Sequence, residues 1–153
     1  MPVIRYVLLT YLLVVSPVAM AGEAVGRASV IDGDTLDIGE QRIRLAGIDA
    51  PETTQRGGDE AKLLLEAMTS KNEIRCVWEQ AGVYGRALGT CYAMTRSGAW
   101  SKKSINSRMV RAGLAWAYPA RPYDYALEMM MAMGTCAGIW KDSEQPGCWR
   151  KTR

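Results

Sequence analysis

The sequence predicts an α+β fold, a small closed β-barrel of the OB type with five strands and three α-helices. Short segments of alternating apolar and charged residues end in turn residues, and longer segments show helical periodicity. The predicted order is three strands, a helix, two strands and two helices. Five short strands with interposed helices are typical of an OB barrel, and 153 residues suit a single domain.

The boundaries of these elements follow from turn and cap signals. Asp59 is expected to cap the first helix and Gly138 to end the last. The predicted strands are 24–31, 35–38, 42–46, 73–78 and 87–94, and the predicted helices are 59–69, 101–112 and 124–137.

Alternation fixes the register of the first hairpin. It sets Leu36 opposite Leu45 and Ile38 opposite Ile43, so the turn lies at residues 40–41. One face of the hairpin is then apolar and the other is charged.

Residues 1–21 have the pattern of a secretory signal peptide. Arg5 precedes an apolar run over residues 6–18, and a small-x-small cleavage site follows. The run is shorter than the ~20 apolar residues of a membrane span. We therefore expect residues 22–153 to be a periplasmic or secreted domain without stable membrane association, and an uncleaved anchor is the alternative.

Four cysteines support export, because an even number in a small exported domain favours two disulfides. The register of the second strand pair sets Cys76 opposite Cys91, close enough for a disulfide. Cys136 would then pair with Cys148. A zinc site is disfavoured, because the sequence has neither a CxxC pair nor a histidine.

The lack of histidine excludes whole classes of mechanism. Ser-His-Asp triads and histidine-based nucleases need an imidazole, so catalysis must use carboxylates, arginines, lysines, tyrosines or a metal held by oxygen.

Charge is distributed unevenly along the chain. Residues 22–100 carry nine basic and twelve acidic side chains, and residues 101–153 carry nine basic and four acidic ones. This asymmetry suits a metal site beside a polyanion, although solvated helix faces also produce it.

Carboxylates are concentrated in residues 31–52, IDGDTLDIGEQRIRLAGIDAPE. Asp34, Asp49 and Glu52 lie at strand ends, and closing the hairpin brings Asp34 near Asp49. Like charges held close together repel, so such a cluster favours a bound cation, and oxygen ligands on loops suit Ca²⁺. An EF-hand is excluded, because Leu36 occupies its third ligand position and no glycine stands at the sixth.

Arg44 has two candidate partners. Strict alternation sets it on the face opposite Asp34, so these two meet only if the strands twist or bulge near the neighbouring glycines. The alternative is a cross-strand pair between Arg44 and Asp37, worth about 0.2–1 kcal/mol. Periodicity does not decide between them.

Three segments together resemble the thermonuclease family, the staphylococcal-nuclease-like enzymes. They are VIDGDTLDI…IRLAGIDAPE, YGRALGTCY and INSRMVRAGLAWAY, and the similarity extends over nearly all of residues 24–150. The resemblance implies a five-stranded OB barrel with three helices. It also implies Ca²⁺-dependent endonucleolytic hydrolysis of DNA and RNA that leaves 3′-phosphates.

The same resemblance implies a metal centre. Asp34 and Asp49 would bind the metal directly, joined by the backbone carbonyl of Ala50. Asp32 would be a neighbouring acid that helps to position these ligands without binding the metal directly.

The implied catalytic residues are Glu52, which orients or deprotonates the attacking water, and Arg44 and Arg86, which bind the phosphate. Two guanidinium groups and a divalent cation would stabilise the charge that develops as water attacks. Without the resemblance, Arg86 is an ordinary surface arginine beside a hairpin. Tyr84 and Tyr118 are candidates for nucleotide contact, or else half-buried tyrosines.

Two further groups lie away from the implied catalytic residues. Four basic residues either steer the polyanion or line a solvated helix face: Lys102, Lys103, Arg108 and Arg111. Residues 129–133 contain four methionines where small and charged residues are usual in the family. Methionine fills irregular cores well, and a partner-docking groove is the alternative.

The leading hypothesis is an exported, monomeric, Ca²⁺-dependent nuclease that degrades DNA and RNA with little sequence specificity and prefers single strands. One alternative is a catalytically silent OB module that binds single-stranded nucleic acid or a protein partner. Another is an exported calcium-binding structural domain. Every position matched to the family motifs is intact, which favours the enzyme.

Overall fold

A computed structural model of the protein describes residues 21–79, 86–118, 124–141 and 148. Tyr84 and residues 1–20 of the predicted leader lie outside these ranges. Within them, no helix is both long enough and apolar enough to cross a membrane. The strands are β1 (Gly22–Gly26), β2 (Ala28–Val30), β3 (Thr35–Ile38), β4 (Gln41–Leu45), β5 (Ile48–Asp49), β6 (Ile74–Trp78), β7 (Ala87–Ala93) and β8 (Trp116–Ala117). The helices are α1 (Gly58–Thr69), α2 (Ile105–Arg111) and α3 (Ala126–Thr135), followed by a 3₁₀ turn at Gly138–Trp140.

Six strands form one sheet that curls round on itself. Its order is β1-β6-β7-β4-β3-β2, and its pairs are antiparallel except for the parallel pair of β4 and β7. The two edge strands, β1 and β2, are separated in the chain by Arg27 alone, so the two edges of the sheet lie close together. Counted as one bent strand, they leave five strands in this sheet, and the predicted OB-type α+β fold is confirmed. The short strands β5 and β8 pair in a second sheet that was not predicted.

The hairpin of β3 and β4 has a different register from the predicted one. Leu36 faces Ile43 and Ile38 faces Gln41, so the predicted pairs are wrong by two residues. The cause is a two-residue turn that begins at Gly39, where φ is 58°, because glycine at the first loop position suits a tight II′ turn. Since the shift is by two, every side chain keeps its predicted face.

The hydrophobic core fills the barrel, and α1 and α2 cover it. Each fully buried aliphatic side chain contributes about 1.5–3 kcal/mol relative to an exposed one. The Cys76–Cys91 disulfide joins β6 to β7 within this core, and Cys136–Cys148 ties the chain back to the end of α3. Both predicted pairings are confirmed. The fully buried aliphatic and methionine residues include Leu36, Ile43, Leu45, Leu65, Ile74, Ile105, Met109 and Val110.

The first two helices begin differently from the prediction. Asp59 lies in the first turn of α1, and the cap is Gly57. In α2 the hydroxyl of Ser104 accepts a hydrogen bond from the backbone N–H of Ser107 at 3.1 Å. This side-chain cap begins the helix at the next residue, so the predicted start near Ser101 is wrong.

The methionines of α3 occupy two environments. Met129 packs against the core and Ala132 is buried, whereas Met130 is 66% exposed and Met131 is 39% exposed. Core filling is therefore correct for Met129 and wrong for Met130 and Met131. The helix ends at Thr135, two residues earlier than predicted, and Cys136 after it takes a left-handed conformation.

Candidate active site

Two loops within residues 31–52 meet at one end of β4. The backbone N–H of Leu45 donates to the carbonyl of Asp34 at 2.7 Å, so the bend before β3 lies beside the end of β4. Gly47, with φ of 74°, then turns the chain into β5, which ends at Asp49. The hairpin thus brings Asp34 and Asp49 to the same place.

Two glycines permit the close approach of these loops. A Cβ at Gly33 would lie 2.7 Å from the β-carbons of Ala50 and Ala61, so only glycine lets the loop before β3 touch the loop after β5. A Cβ at Gly58 would overlap the backbone carbonyl of Glu52. The first residue of α1 therefore packs directly against the loop that carries Glu52.

Asp34 is the buried centre of the site, with 3% of the residue exposed. Its Oδ1 accepts from Arg44 Nη1 at 2.7 Å and from the hydroxyl of Thr35 at 3.0 Å. Its Oδ2 accepts from the backbone N–H of Ala50 at 3.0 Å. Asp32 supports this arrangement from behind, since its Oδ1 accepts from the backbone N–H of Asp34 at 3.0 Å.

Burial raises the pKa of Asp34 to about 6, and the negative charge of Asp32 acts in the same direction. The N–H of Ala50, the guanidinium of Arg44 and the hydroxyl of Thr35 act against this rise but do not cancel it. The contacts that stabilise the ionised carboxylate therefore do not fully offset the cost of its burial. An additional cation beside it would stabilise its charged form.

Arg44 connects the two carboxylates. Its Nη1 lies 2.7 Å from Asp34 Oδ1, and its Nη2 lies 2.6 Å from Asp49 Oδ1. The alternative pairing of Arg44 with Asp37 is wrong, because Arg42 binds Asp37 through two hydrogen bonds at 2.9 and 3.0 Å. No bulge is needed to bring Arg44 to Asp34, since Asp34 precedes β3 and is not constrained by strand alternation.

Arg86 lies immediately before β7, in step with the outward-facing residues of that strand. β7 runs parallel to β4, and Leu88 is level with Arg44, so Arg86 and Arg44 share one face of the sheet. Neighbouring strands are about 4.8 Å apart and two residues span about 7 Å. Both long side chains are therefore within reach of a common phosphate group.

Glu52 and Tyr118 flank the site. The backbone N–H of Glu52 donates to Gln55 Oε1 at 3.1 Å, while its exposed carboxylate forms no hydrogen bond or ion pair with another described residue. Tyr118 follows β8, which pairs with β5, and its N–H donates to the carbonyl of Gly47 at 2.8 Å. Tyr118 is 63% exposed, so the half-buried alternative is wrong, whereas Tyr84 lies outside the described residues.

Asn106 is a positioning residue that sequence reasoning missed. It is fully buried, and its Nδ2 donates to the carbonyls of Ala46 at 2.9 Å and Gly89 at 3.1 Å. Its Oδ1 accepts from the backbone N–H of Cys91 at 3.0 Å. The Asn106 side chain thus connects α2 to the end of β4, the strand that carries Arg44, and to β7, the strand that follows Arg86. Asn106 lies in the segment INSRMVRAGLAWAY quoted above. A single asparagine has no periodicity that could reveal its contacts.

The site offers hard oxygen donors to a cation. A carboxylate has about four lone-pair sites, and Asp34 uses three of them in hydrogen bonds. The second oxygen of Asp49 has no partner among the described residues. Those residues contain no group of three His, Cys, Asp or Glu side chains able to hold a metal. The unused lone pairs of Asp34 and Asp49 are the donors that fit a hard cation bound by two carboxylates, with backbone oxygen and water completing its coordination.

Comparison with known proteins assigns the family. The family model described as "Staphylococcal nuclease homologue" matches residues 42–142. The chain belongs to the staphylococcal nuclease family. A relative named micrococcal nuclease, from Shigella flexneri, is 35% identical over 97% of this chain and 92% of its own length. An uncharacterized endonuclease of Haemophilus influenzae is 31% identical over 96% and 86%, and one of Escherichia coli O157:H7 is 33% identical over 79% and 80%.

The match to the staphylococcal nuclease family includes most of the site. Residues 42–142 contain Arg44, Asp49, Glu52 and Arg86. Asp34 precedes this range, but its hydrogen bonds to Arg44 and to the Ala50 backbone place it in the same constellation.

Proposed function

We propose that the protein is an exported Ca²⁺-dependent endonuclease that hydrolyses DNA and RNA with little sequence specificity and leaves 3′-phosphates. The observation that carries the proposal is the guanidinium of Arg44 held between Asp34 and Asp49 at 2.7 and 2.6 Å. Relatives named as nucleases support hydrolysis of nucleic acid. We further propose that the enzyme is a monomer and prefers single strands.

Asp34 and Asp49 would hold the Ca²⁺ ion, with the backbone carbonyl of Ala50 as a third protein ligand. Asp32 would keep the loop of Asp34 in place through its hydrogen bond to the backbone. Bound Ca²⁺ would supply Lewis-acid stabilisation of the negative charge on the phosphate.

Arg44 would bind phosphate without giving up its carboxylate contacts. A guanidinium has five N–H donors, and the contacts to Asp34 and Asp49 use two of them. The remaining donors have no partner among the described residues and would be available to phosphate oxygens, while the two carboxylates hold the guanidinium plane in a fixed orientation. Arg86 would bind the same phosphate from the neighbouring strand. Its planar fork suits two oxygens better than a lysine would.

Glu52 would accept the proton of the attacking water. As that proton moves to the carboxylate, the water oxygen bonds to phosphorus and the bond from phosphorus to the 5′-oxygen breaks. The leaving 5′-oxygen takes a proton from solvent, which gives a 3′-phosphate and a 5′-hydroxyl. The exposed carboxylate of Glu52 has no competing contact among the described residues and is therefore available to water.

Digestion assays test the proposal directly. The purified protein should degrade denatured DNA and RNA in Ca²⁺ and should lose that activity in excess EGTA, and labelled products should carry 3′-phosphates. Undiminished digestion in EGTA would contradict the dependence on Ca²⁺. Tight binding of single strands without digestion in Ca²⁺ would favour the silent OB module instead.

A matched set of arginine variants tests the residue assignment. Loss of one donor to developing negative charge typically lowers the rate by about 10²–10³, which we expect for Arg44→Ala and Arg86→Ala. Arg42→Ala is the control, because Arg42 lies on the same strand and pairs with Asp37. It should keep wild-type activity. Equal losses in all three variants, or full activity of Arg86→Ala, would contradict the assignment.

Export is supported by the two disulfides, because disulfides persist in oxidising compartments. Protein recovered from the periplasm or the medium should begin at or near Gly22 by N-terminal sequencing. An intact Met1 on protein held in the membrane would instead show that the leader is a retained anchor.

A further inference from the structure

An open cleft lies on the outer face of β7, away from the carboxylate site. Its volume is about 460 Å³. One wall is the outward face of β7 at Thr90 and Tyr92, another is the segment that leads into α2, and the third is the start of α3. None of these residues takes part in the proposed reaction.

A row of side chains on β7 leads from the catalytic arginines to this cleft. Arg86, Leu88, Thr90 and Tyr92 alternate with buried residues and therefore share a face. Leu88 is level with Arg44 on the neighbouring strand. At about 3.4 Å per residue, Tyr92 lies about 20 Å from Arg86. Since OB folds engage about 4–16 nucleotides of a single strand, a strand held at the arginines can extend into the cleft.

The cleft combines both signs of charge with aromatic rings. Lys102 and Lys103 are exposed and form no ion pair with the described residues. On the opposite side, Glu128 Oε1 accepts from the hydroxyl of Ser107 at 2.9 Å, and Asp124 Oδ1 accepts from a backbone N–H at the start of α3. The second oxygen of each carboxylate has no partner among the described residues.

This mixture is unsuited to a simple ion. Two carboxylates disfavour a lone anion and two lysines disfavour a lone cation. A nucleotide carries both features that the cleft requires, because its phosphate is negative and its base presents neutral N–H donors and a flat π-face. Aromatic side chains stack on bases of any sequence, and carboxylates accept from base amino groups.

We propose that this cleft binds one nucleotide of the substrate strand several positions from the cleaved bond. Lys102 and Lys103 bind its flanking phosphates, Tyr92 and Tyr125 pack on the base, and the carboxylate wall accepts its N–H groups. The inference rests on the proposed nuclease function and deepens it. It makes an extended single strand the preferred substrate, and a fragment of two or three nucleotides a poor one.

A binding experiment in EGTA tests the cleft without cleavage. The cleft variant is Lys102→Ala with Lys103→Ala. The control, Lys62→Ala with Lys71→Ala, removes the same charge from residues that do not line the cleft. Fluorescence anisotropy with labelled dT₁₂ and dT₃ measures the affinity of the full-length protein over a range of salt concentrations.

The cleft variant should bind dT₁₂ at least tenfold more weakly than wild type, while its affinity for dT₃ is unchanged. Each lost phosphate contact lowers the slope of log K against log salt by about 0.7 on single strands, so the slope should fall by about 1.4. The control should keep the wild-type slope. Equal changes in both double variants, an unchanged cleft variant, or no binding of dT₁₂ by wild type would overturn the inference.

A second variant tests the contact with the base. Tyr92→Leu should reduce the preference for dT₁₂ over an abasic strand of equal length at least fivefold, because the abasic strand keeps its phosphates and lacks bases to stack. An unchanged preference would overturn the base contact. A purified protein that binds dT₁₂ but has no nuclease activity would contradict the proposed function alone. Active enzyme with an unaffected cleft variant would contradict this inference alone.

Discussion

In the metal-free protein, burial of Asp34 should lower the free energy of unfolding as the pH rises from 5 to 8. The pKa of Asp34 is about 6 in the folded protein, against an ordinary value of 3.8. The folded state therefore holds the proton more tightly than the unfolded state, and stability is lost as the pH rises through the folded pKa. A difference of this size corresponds to about 3 kcal/mol in total. For one titrating group, about 1.5 kcal/mol of this is lost between pH 5 and pH 8.

Urea unfolding in EGTA at pH 5, 6.5 and 8 measures this effect. The chain has no histidine, the side chain that ordinarily titrates in this range. The change in unfolding free energy between pH 5 and pH 8 therefore reports on Asp34. Asp34→Asn should remove most of the dependence, although its lost hydrogen bond lowers stability by about 1 kcal/mol at all pH values. Added Ca²⁺ at pH 8 should stabilise wild type and not the variant. Wild-type stability that rises from pH 5 to 8, or an equal slope in the variant, would refute the reasoning.

Three further sets of substitutions test the packing that positions the site, all by urea unfolding. Gly33→Ala should destabilise the fold by about 1–3 kcal/mol, because its methyl group would meet two β-carbons. Gly134→Ala, in α3 with open space around it, should stabilise by about 0.5–1 kcal/mol. A reversed order would argue against the close approach at Gly33. Asn106→Ala should cost about 2–4 kcal/mol, because it leaves buried backbone groups unpaired; a loss below about 0.5 kcal/mol would contradict its positioning role. Replacing both Cys76 and Cys91 by alanine should cost about 3 kcal/mol for a separation of 15 residues, and unchanged stability would contradict a structural role for that disulfide.

The meeting of Asp34 and Asp49 was predictable because both residues lie at strand ends in one short stretch. A hairpin over residues 35–46 brings Asp34 near the end of β4, and the turn at Gly47 then places Asp49 beside it. The partner of Arg44 was not predictable from alternation. Asp34 lies in the bend before β3, where the side-chain direction depends on local backbone geometry and not on the period of two.

The remaining errors came from turn geometry and from isolated polar residues. The hairpin register depends on the left-handed conformation of Gly39, which the apolar pattern does not encode. Ser101 and Ser104 are equally good helix caps by residue type, and only the observed bond to the Ser107 N–H selects Ser104. Asn106 binds backbone groups up to 60 residues away in the chain, so no local pattern could reveal its role.

Calorimetric titration of Ca²⁺ into the metal-free protein tests the central claim most directly, namely that Asp34 and Asp49 jointly hold a hard cation beside Arg44. We expect one binding site in wild type and an affinity at least tenfold lower in Asp34→Asn and in Asp49→Asn. Asp37→Asn, which changes an acid paired with Arg42, should bind Ca²⁺ as wild type does. No Ca²⁺ binding by wild type, or equal affinity in all four proteins, would contradict the claim.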